Sequence, residues 1–202
     1  MFGLLYGLYQ YMFSKRENFV LVVGLDNAGK TTLLERMKVM YGDKKEPLPP
    51  DRIAPTVGLN IGRFEIGQNR LIFWDLGGQV GLRSIWDKYY AETNGVIFVV
   101  DSAESNERLA EAQQVLEDVL QEEALHKDVP ILVCMNKQDL SEAHNLQHLA
   151  DLFTPILDEQ GDPRKHLLQP ICALQGEGIE EGIRWLVNNV RPSSRNLSAA
   201  AG

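Results

Sequence analysis

The sequence predicts an α/β fold in which a mostly parallel sheet carries helices on both faces. Short runs of apolar and β-branched residues recur along the chain, as expected for strands that are buried on both sides. Helical patterns separate most of these runs, and such alternation is typical of a parallel sheet. The runs are Phe19–Val23, Leu71–Trp74, Val96–Val100, Ile131–Met135 and Leu167–Cys172.

The helical and hairpin segments follow from residue periodicity. Glu104–Leu125 and Gly178–Val190 each place their apolar residues on one stripe of a helix, with polar residues elsewhere. Asn60–Ile66 and Arg70–Trp74 read as strands, and the turn residues Gly67–Asn69 lie between them. We therefore expect one antiparallel hairpin within the otherwise parallel arrangement.

The composition is that of an ordinary globular chain. It has 202 residues, 44% hydrophobic and 24% charged, which predicts one domain with a short appendage. A formal net charge of −8 disfavours nucleic acid as a partner. Two cysteines, Cys134 and Cys172, do not make a disulfide framework, so we expect reduced thiols in the cytoplasm.

The stretch GLDNAGKTTL, from Gly24 to Leu33, has the spacing of a phosphate-binding loop between a strand and a helix. Its glycines allow backbone N–H groups to curl around an anion, and the helix that follows adds a positive dipole end. We expect Lys30 to reach the β- and γ-phosphates, Thr31 to ligate Mg²⁺ and Thr32 to bond a nearer phosphate. The expected loop residues are Gly24, Asp26, Asn27, Ala28 and Gly29.

The sequence NKQD, Asn136–Asp139, follows another strand and predicts which base is bound. An aspartate accepts two hydrogen bonds from guanine, a donor pair that adenine lacks, so Asp139 favours guanine. The stem of Lys137 can cover the face of the base. Asn136 is expected to tie loops together, and Cys172-Ala173 to present the Ala173 N–H to the guanine carbonyl oxygen.

Two further segments supply switch residues. In WDLGGQ, Trp74–Gln79, we expect Asp75 to hold Mg²⁺, Gly78 to offer its N–H to the γ-phosphate and Gln79 to orient the attacking water. Thr56 lies between the phosphate loop and the hairpin. Its hydroxyl would complete the Mg²⁺ shell only when a γ-phosphate is present, which makes that segment a sensor of the triphosphate.

Together, GLDNAGKTT, PTVGLN, WDLGGQ, NKQD and CALQGEG resemble the Arf branch of small Ras-like GTPases over residues 17–190 or so. The opening MFGLLYGLYQYMF and the later WDKYYAE are similar to the Arf-related members of that family. The resemblance implies a Ras-like fold with a six-stranded sheet, a GDP/GTP switch with GTP and GDP as ligands and Mg²⁺, and control of membrane trafficking at the Golgi and trans-Golgi network. No arginine in the motifs serves as an internal finger, so we expect slow GTP hydrolysis that depends on an activating protein.

The resemblance also implies partners. These are a guanine-nucleotide exchange factor, a GTPase-activating protein, and effectors that contact an exposed apolar cluster of Leu59, Trp74 and Tyr89. Leu59 replaces the family's usual aromatic residue, and Val80 stands where many members carry an acidic one. Tyr41–Pro55 is longer than in typical members, and its prolines predict a stiff, exposed first switch.

The N-terminal residues raise the question of membrane binding. Residues 1–16 are expected to form an amphipathic helix, residues 17–190 a monomeric GTPase domain, and residues 191–202 a flexible tail. In the family the hairpin, here Asn60–Trp74, changes register with GTP and expels that helix, here Phe2–Phe13. Phe2 excludes myristoylation and the C-terminus lacks a prenylation cysteine, so the expected route is peripheral Golgi attachment through the helix and a membrane receptor. The alternative is that the helix packs permanently on the domain.

Other interpretations are kept beside this one. A phosphate-loop nucleotide kinase would use the same Gly24–Leu33 motif, but it needs an arginine-rich lid and no NKQD. A membrane tether would bind GTP with negligible hydrolysis. His144 and His148 are spaced for one helix face but lack further ligands, so we interpret them as surface residues.

Overall fold

The computed structural model describes residues 16–158 and 162–190. Its strands are β1 (Arg16–Val23), β2 (Leu59–Ile66), β3 (Asn69–Leu76), β4 (Gly95–Asp101), β5 (Ile131–Asn136) and β6 (His166–Pro170). Within the described ranges they form a six-stranded sheet in the order β2-β3-β1-β4-β5-β6. The predicted α/β fold with six strands is therefore confirmed.

The only antiparallel pairing among the described strands joins β2 to β3. Ile66 pairs with Asn69, so Gly67 and Gln68 alone make the turn, and Gly67 has a φ of 61°. The predicted turn, Gly67–Asn69, was one residue too long because Asn69 belongs to the strand. The predicted hairpin itself is confirmed.

The helices cover both faces of the sheet. They are α1 (Lys30–Met40), α2 (Asp87–Tyr90), α3 (Asn106–Gln121), α4 (Leu146–Leu157) and α5 (Ile179–Asn189), with 3₁₀ turns at Pro50–Arg52 and Val80–Ile85. Buried residues of α2, α3 and α4 pack on one face, and those of α1 and α5 pack on the other. Alternate strand residues divide accordingly, because successive side chains point to opposite faces.

Helix α3 is shorter than the predicted Glu104–Leu125. It begins at Asn106 because Ser105 caps it: the Ser105 hydroxyl accepts the Arg108 N–H at 3.4 Å. It ends at Gln121, and a turn follows in which the Leu125 N–H donates to the Glu122 carbonyl oxygen. Leu125 is nevertheless buried, so the apolar stripe continues past the end of the helix.

The predicted N-terminal helix, Phe2–Phe13, and the predicted tail, residues 191–202, lie outside the described residues. Within the described ranges no helix has the length and apolar character that crossing a membrane requires. The predicted exposure of Tyr41–Pro55 is confirmed for most of its residues. This segment is anchored near its start, where Lys44 pairs at 2.6 Å with the buried Glu35 of α1.

Candidate functional site

One cavity of about 420 Å³ opens at the carboxyl ends of the parallel strands, where open α/β sheets place their ligands. We call it the main cavity. Most of the residues predicted to bind a nucleotide line it: Asp26, Asn27, Gly29, Lys30, Thr31, Thr32, Thr56, Gly78, Gln79, Asn136, Lys137, Asp139 and Ala173. Four of the predicted residues do not line the main cavity but contact residues that do: Gly24, Ala28, Asp75 and Cys172.

The loop between β1 and α1 has the backbone of an anion cradle. Asn27 and Gly29 have φ values of 60° and 97°, in the left-handed region. At Gly29 a Cβ atom would also lie 2.2 Å from Asn136 Nδ2, so the position requires glycine on two counts. Helix α1 starts immediately afterwards at Lys30, and its N-terminus therefore faces the main cavity.

Lys30 is a buried cation inside this loop. Its Nζ donates to the carbonyl oxygens of Gly24 at 3.0 Å and Leu25 at 2.5 Å, which leaves one of its three N–H donors for another acceptor. Burial lowers the pKa of Lys30 from 10.5 to about 8, against the opposing effects of Asp75 and Asp26. The loop thus holds a positive charge that gains from a nearby anion.

Asp75, at the end of β3, gathers hydroxyls from two distant segments. Its Oδ2 accepts from Thr31 at 2.9 Å and from Thr56 at 3.4 Å. The sequence reading missed a third donor, Asn60, whose Nδ2 lies 3.3 Å away. Asp75 is fully buried, and burial raises its pKa although Thr31 and Lys30 oppose the rise.

The other oxygen of Asp75 is the observation that bears on a metal. Asp75 Oδ1 is buried and has no hydrogen-bond partner among the described residues. A buried carboxylate oxygen without a partner is costly, and hard cations such as Mg²⁺ take carboxylate and hydroxyl oxygens as ligands. Thr31, Thr56 and Asp75 therefore fit a magnesium ion.

The glycine pair after β3 packs tightly on the phosphate loop. A Cβ atom on Gly78 would lie 2.4 Å from the Gly24 carbonyl oxygen and 2.5 Å from Lys30 Nζ. The Gly77 N–H donates to the Gly58 carbonyl oxygen at 3.3 Å. The two predicted switch segments thus meet here, and the exposed Gln79 comes next along the cavity wall.

Asn136 joins two loops, as predicted. Its Nδ2 donates to the Ala28 carbonyl oxygen at 2.8 Å, and its Oδ1 accepts the Ala173 N–H at 2.9 Å. The Ala173 N–H, expected to serve a guanine carbonyl oxygen, is instead donated to Asn136. The physical reason is that Asn136 is buried, so its carboxamide oxygen needs a donor from the protein.

The far end of the main cavity carries Asp139 and Lys137. Asp139 is exposed, and its Oδ1 accepts from the Cys172 thiol at 3.1 Å. Burial, followed by Asp139, raises the pKa of Cys172, so the thiol keeps its proton and braces the carboxylate. Lys137 pairs at 2.5 Å with Asp101, which fixes its stem beside the cavity.

Sequence reasoning missed the apolar walls of the main cavity. Leu140 and Leu174 line the end near Asp139, while Pro50 and Ile53 line it from the exposed Tyr41–Pro55 segment. Leu140 follows the NKQD motif directly, and its apolar character was the available signal. Nothing in the local pattern around Pro50 indicated that this distant segment turns toward the cavity.

The expected exposed cluster of Leu59, Trp74 and Tyr89 is only partly exposed. Leu59 is 37% exposed, but Trp74 is 8% exposed, so its predicted exposure is wrong. Trp74 is covered because its ring stacks on Phe19 at 4.6 Å between centroids and meets the Tyr89 ring at 5.0 Å.

Val57 and Val80 are the most exposed large apolar residues described, at 83% and 73%. The sequence reading did not place them on that surface. In the sequence they directly follow Thr56 and Gln79, which line the main cavity.

His144 and His148 lie beside each other, with ring centroids 5.0 Å apart. His144 Nε2 is 3.0 Å from the Glu104 carbonyl oxygen, which gives that ring a structural contact. No group of three or more His, Cys, Asp or Glu side chains in the described ranges is arranged to hold a metal.

Comparison with known proteins finds a matching family and relatives that agree with it. Residues 5–190 match the ADP-ribosylation factor family. ADP-ribosylation factor-related protein 1 of Homo sapiens is 48% identical over 190 residues, covering 94% of this chain and 93% of that protein. ADP-ribosylation factor-like protein 3 of Saccharomyces cerevisiae is 40% identical over 188 residues, covering 93% and 92%.

A solved structure is also similar. It is the Arl6 BBS3 small GTPase from Trypanosoma brucei with the bound nucleotide analogue GppNp. It superposes with a TM-score of 0.72 at 30% identity, covering 85% of this chain and 96% of that one.

Proposed function

Because this chain belongs to the ADP-ribosylation factor family, and is therefore a small GTPase that binds guanine nucleotides and hydrolyses GTP, we propose that it controls membrane trafficking as a GDP/GTP switch at the Golgi and trans-Golgi network. An exchange factor loads GTP, effectors bind the loaded form, and an activating protein ends the signal. The Golgi assignment rests on the resemblance of the chain to Arf-related members of the family.

The contact between Thr31 and Thr56 carries the switch proposal. Their Oγ1 atoms are 2.7 Å apart and both bond Asp75. One hydroxyl follows the phosphate loop and the other belongs to the exposed segment after Pro55. A ligand bound at this junction can therefore order or release that segment, which is how a switch senses the terminal phosphate.

Magnesium belongs to this proposal because Thr31, Thr56 and Asp75 supply the oxygen ligands that it prefers. When bound, Mg²⁺ neutralises charge on the β- and γ-phosphate oxygens. The remaining contributions come from the protein. Lys30 attracts the phosphates, and the Gly78 N–H approaches the γ-phosphate because Gly78 packs against the phosphate loop.

Hydrolysis is in-line attack of water on the γ-phosphorus, with cleavage of the bond to the β-phosphate oxygen and release of GDP and inorganic phosphate. Gln79, exposed on the cavity wall, orients the water. No arginine is among the described residues that line the main cavity. We therefore propose slow intrinsic turnover, with an arginine supplied by the activating protein worth about 10³–10⁵ in rate.

Guanine selectivity is assigned to Asp139, with the Lys137 stem against the base. The Cys172 thiol occupies one oxygen of Asp139, and Asn136 joins the phosphate loop to the loop that holds Ala173. The carboxylate is thus positioned before a base arrives. Such preorganisation strengthens discrimination, because adenine would leave the carboxylate without its donors.

A binding and hydrolysis experiment on the full chain tests these assignments. With Mg²⁺ present, GTP and GDP should bind more tightly than ATP by at least about a hundredfold, as expected for two lost hydrogen bonds to a charged group. Equal affinity for ATP would contradict the proposal. Phosphate transfer to an added small acceptor instead of water would support a kinase.

Hydrolysis separates a switch from a tether. Single-turnover measurements should show that Gln79→Leu slows GTP hydrolysis relative to the wild type, while GTP affinity is retained. Equal rates in the two proteins would favour a tether whose hydrolysis has no role.

The membrane part of the proposal concerns residues 1–16, with 17–190 as a monomeric GTPase domain and 191–202 as a tail. We propose that GTP loading exposes Phe2–Phe13 to a receptor on Golgi membranes. The full chain and a variant lacking residues 2–13 would each be loaded with GTP or GDP and sedimented with Golgi membranes. GTP-dependent sedimentation should disappear with the deletion, and its persistence would contradict the proposal.

A further inference from the structure

A chain of ion pairs runs from the phosphate loop to the segment after β3 by way of helix α3. Asp26 Oδ1 accepts from Arg108 Nη2 at 3.1 Å, and Arg108 Nη1 donates to Glu111 Oε2 at 2.7 Å. The other oxygen of Glu111, Oε1, accepts from Arg83 Nη2 at 2.7 Å. Glu111 therefore holds two guanidinium groups, one on each oxygen.

The charged groups in this series of ion pairs stabilise one another in their ionised forms. The hydrogen bond from Arg83 lowers the pKa of Glu111 by more than burial raises it, and Arg108 lowers it further. Glu111 is thus ionised at neutral pH. These side chains are partly exposed. Because single exposed ion pairs contribute little to stability, the role of this series of ion pairs is to fix geometry.

Arg83 is the last residue in this series of ion pairs, and it contacts the backbone of Gly78. Its Nε donates to the Gly78 carbonyl oxygen at 2.9 Å. That oxygen belongs to the planar peptide that joins Gly78 to Gln79. Fixing this peptide fixes the direction in which the Gln79 side chain leaves the backbone.

The neighbouring carbonyl is held by a different kind of group. Trp86 Nε1 donates to the Gly77 carbonyl oxygen at 3.1 Å, and Trp86 is buried in the core. Arg83 is less deeply buried, with 18% of its side chain exposed, and its guanidinium is oriented by the hydrogen bond to Glu111. Its planar guanidinium bonds Gly78 and Glu111 through two different nitrogens, which a lysine cannot reproduce.

We propose that Arg83 is a positioning residue for GTP hydrolysis: it orients the Gly78–Gln79 peptide, and Glu111, braced by Arg108 and Asp26, orients Arg83. The inference rests on the proposed role of Gln79. Helix α3 then couples the phosphate loop to the glutamine, so that Gln79 is placed correctly only when the loop is in order.

The test is single-turnover GTP hydrolysis by the full chain in Arg83→Lys and Glu111→Gln variants. Arg83→Lys should slow hydrolysis by about ten- to a hundredfold, as for a misplaced catalytic group, with GDP affinity unchanged. Glu111→Gln should act in the same direction but less strongly, because one acceptor oxygen remains. Asp118→Asn is the matched control: it removes a carboxylate from the same helix, at an exposed position where Asp118 accepts a bond from Gln114.

A Gln79→Leu background separates positioning from structural damage. Arg83→Lys should have no further effect there, because the group that it positions is gone. A multiplicative loss in the double variant, or an Arg83→Lys rate equal to the wild-type rate, overturns the inference alone. A Gln79→Leu rate equal to wild type overturns the proposed role of Gln79 and this inference together.

Discussion

The Oγ1 atoms of Thr31 and Thr56 lie 2.7 Å apart, although one residue opens helix α1 and the other precedes the hairpin. Both hydroxyls converge on Asp75 Oδ2. Three segments that are far apart in the sequence thus share one polar point inside the protein. Of the two hydroxyls, that of Thr56 is the proposed sensor, and it lies directly after Pro55.

Thr56→Ala should weaken GTP binding selectively. The proposed role of its hydroxyl requires the γ-phosphate and Mg²⁺, so GTP affinity should fall by roughly tenfold or more while GDP affinity changes little. Equilibrium binding of both nucleotides in Mg²⁺ measures the ratio. Val57→Ala, at an exposed neighbouring position, is the control, and an equal loss for GDP and GTP in Thr56→Ala would contradict the sensor role.

Gly78→Ala should impair hydrolysis, because its Cβ would meet the Gly24 carbonyl oxygen at 2.4 Å and Lys30 Nζ at 2.5 Å. The glycine pair must then move away from the phosphate loop, and single-turnover hydrolysis should fall by about a hundredfold. Gly81→Ala is a matched control, since a Cβ there meets nothing within 4 Å. Similar rates in the two variants would exclude a need for close approach at Gly78.

Asp139→Asn should lower GTP affinity by at least about a hundredfold, because the amide offers a donor where guanine also donates. Xanthosine triphosphate carries a carbonyl in place of the guanine amine, so this variant should prefer it to GTP. Competition binding with both nucleotides gives the result. Asp151→Asn, on the exposed surface of α4, should leave the preference for GTP intact, and unaltered preference in Asp139→Asn would remove Asp139 from base recognition.

The pH dependence of nucleotide binding should report Lys30. Its pKa in the folded protein is about 8, lowered from 10.5, so the ammonium is increasingly lost above pH 8. Phosphate binding requires the charged form, and affinity for GDP should therefore fall between pH 7 and 9, by at most about tenfold per pH unit.

Two lysine variants isolate this effect. Lys30→Met should bind weakly and lose the slope, whereas Lys44→Met, which alters only the exposed partner of Glu35, should keep it. A wild-type slope that survives in Lys30→Met would assign the titration to another group.

Lys30 also affects stability, with the opposite sign. Its folded pKa lies below its unfolded value, so between pH 8 and 10.5 the unfolded chain binds more protons. The free energy of unfolding of the nucleotide-free protein should therefore rise across this window, as far as Lys30 determines it. Chemical denaturation of wild type and Lys30→Met at several pH values measures this contribution.

Much of the fold was predictable because the strands bury both faces and therefore read as continuous apolar runs. The ends of the strands were not predictable, since polar residues such as Asn69 also pair within β3. Helix α4 was not predicted as an element, and Pro155 inside its last turn interrupts the helical pattern. The end of α3 was misplaced because apolar spacing persists to the buried Leu125.

Residues at the site were predictable where a motif fixes backbone and chemistry together, as with Lys30 and Asn136. The partners that hold motif residues in place were not. Asn60, Arg83 and Glu111 reach the site through contacts between elements, and no local pattern marks them. For Trp74 the family position predicted exposure, but it did not reveal that Phe19 covers the ring.

The two faces of β3 pack on different hydrophobic cores, and this limits how the β2–β3 hairpin can slide along β1. Phe73 faces one core and Trp74 faces the other, so a slip of one residue would exchange unlike packing on both sides. Any sliding along β1 must then proceed in double steps, about 7 Å each. A displacement of that size would carry Asp75 beyond reach of the Thr31 hydroxyl, from which it accepts at 2.9 Å, so the register of β3 and the contact at Thr31 can only change together.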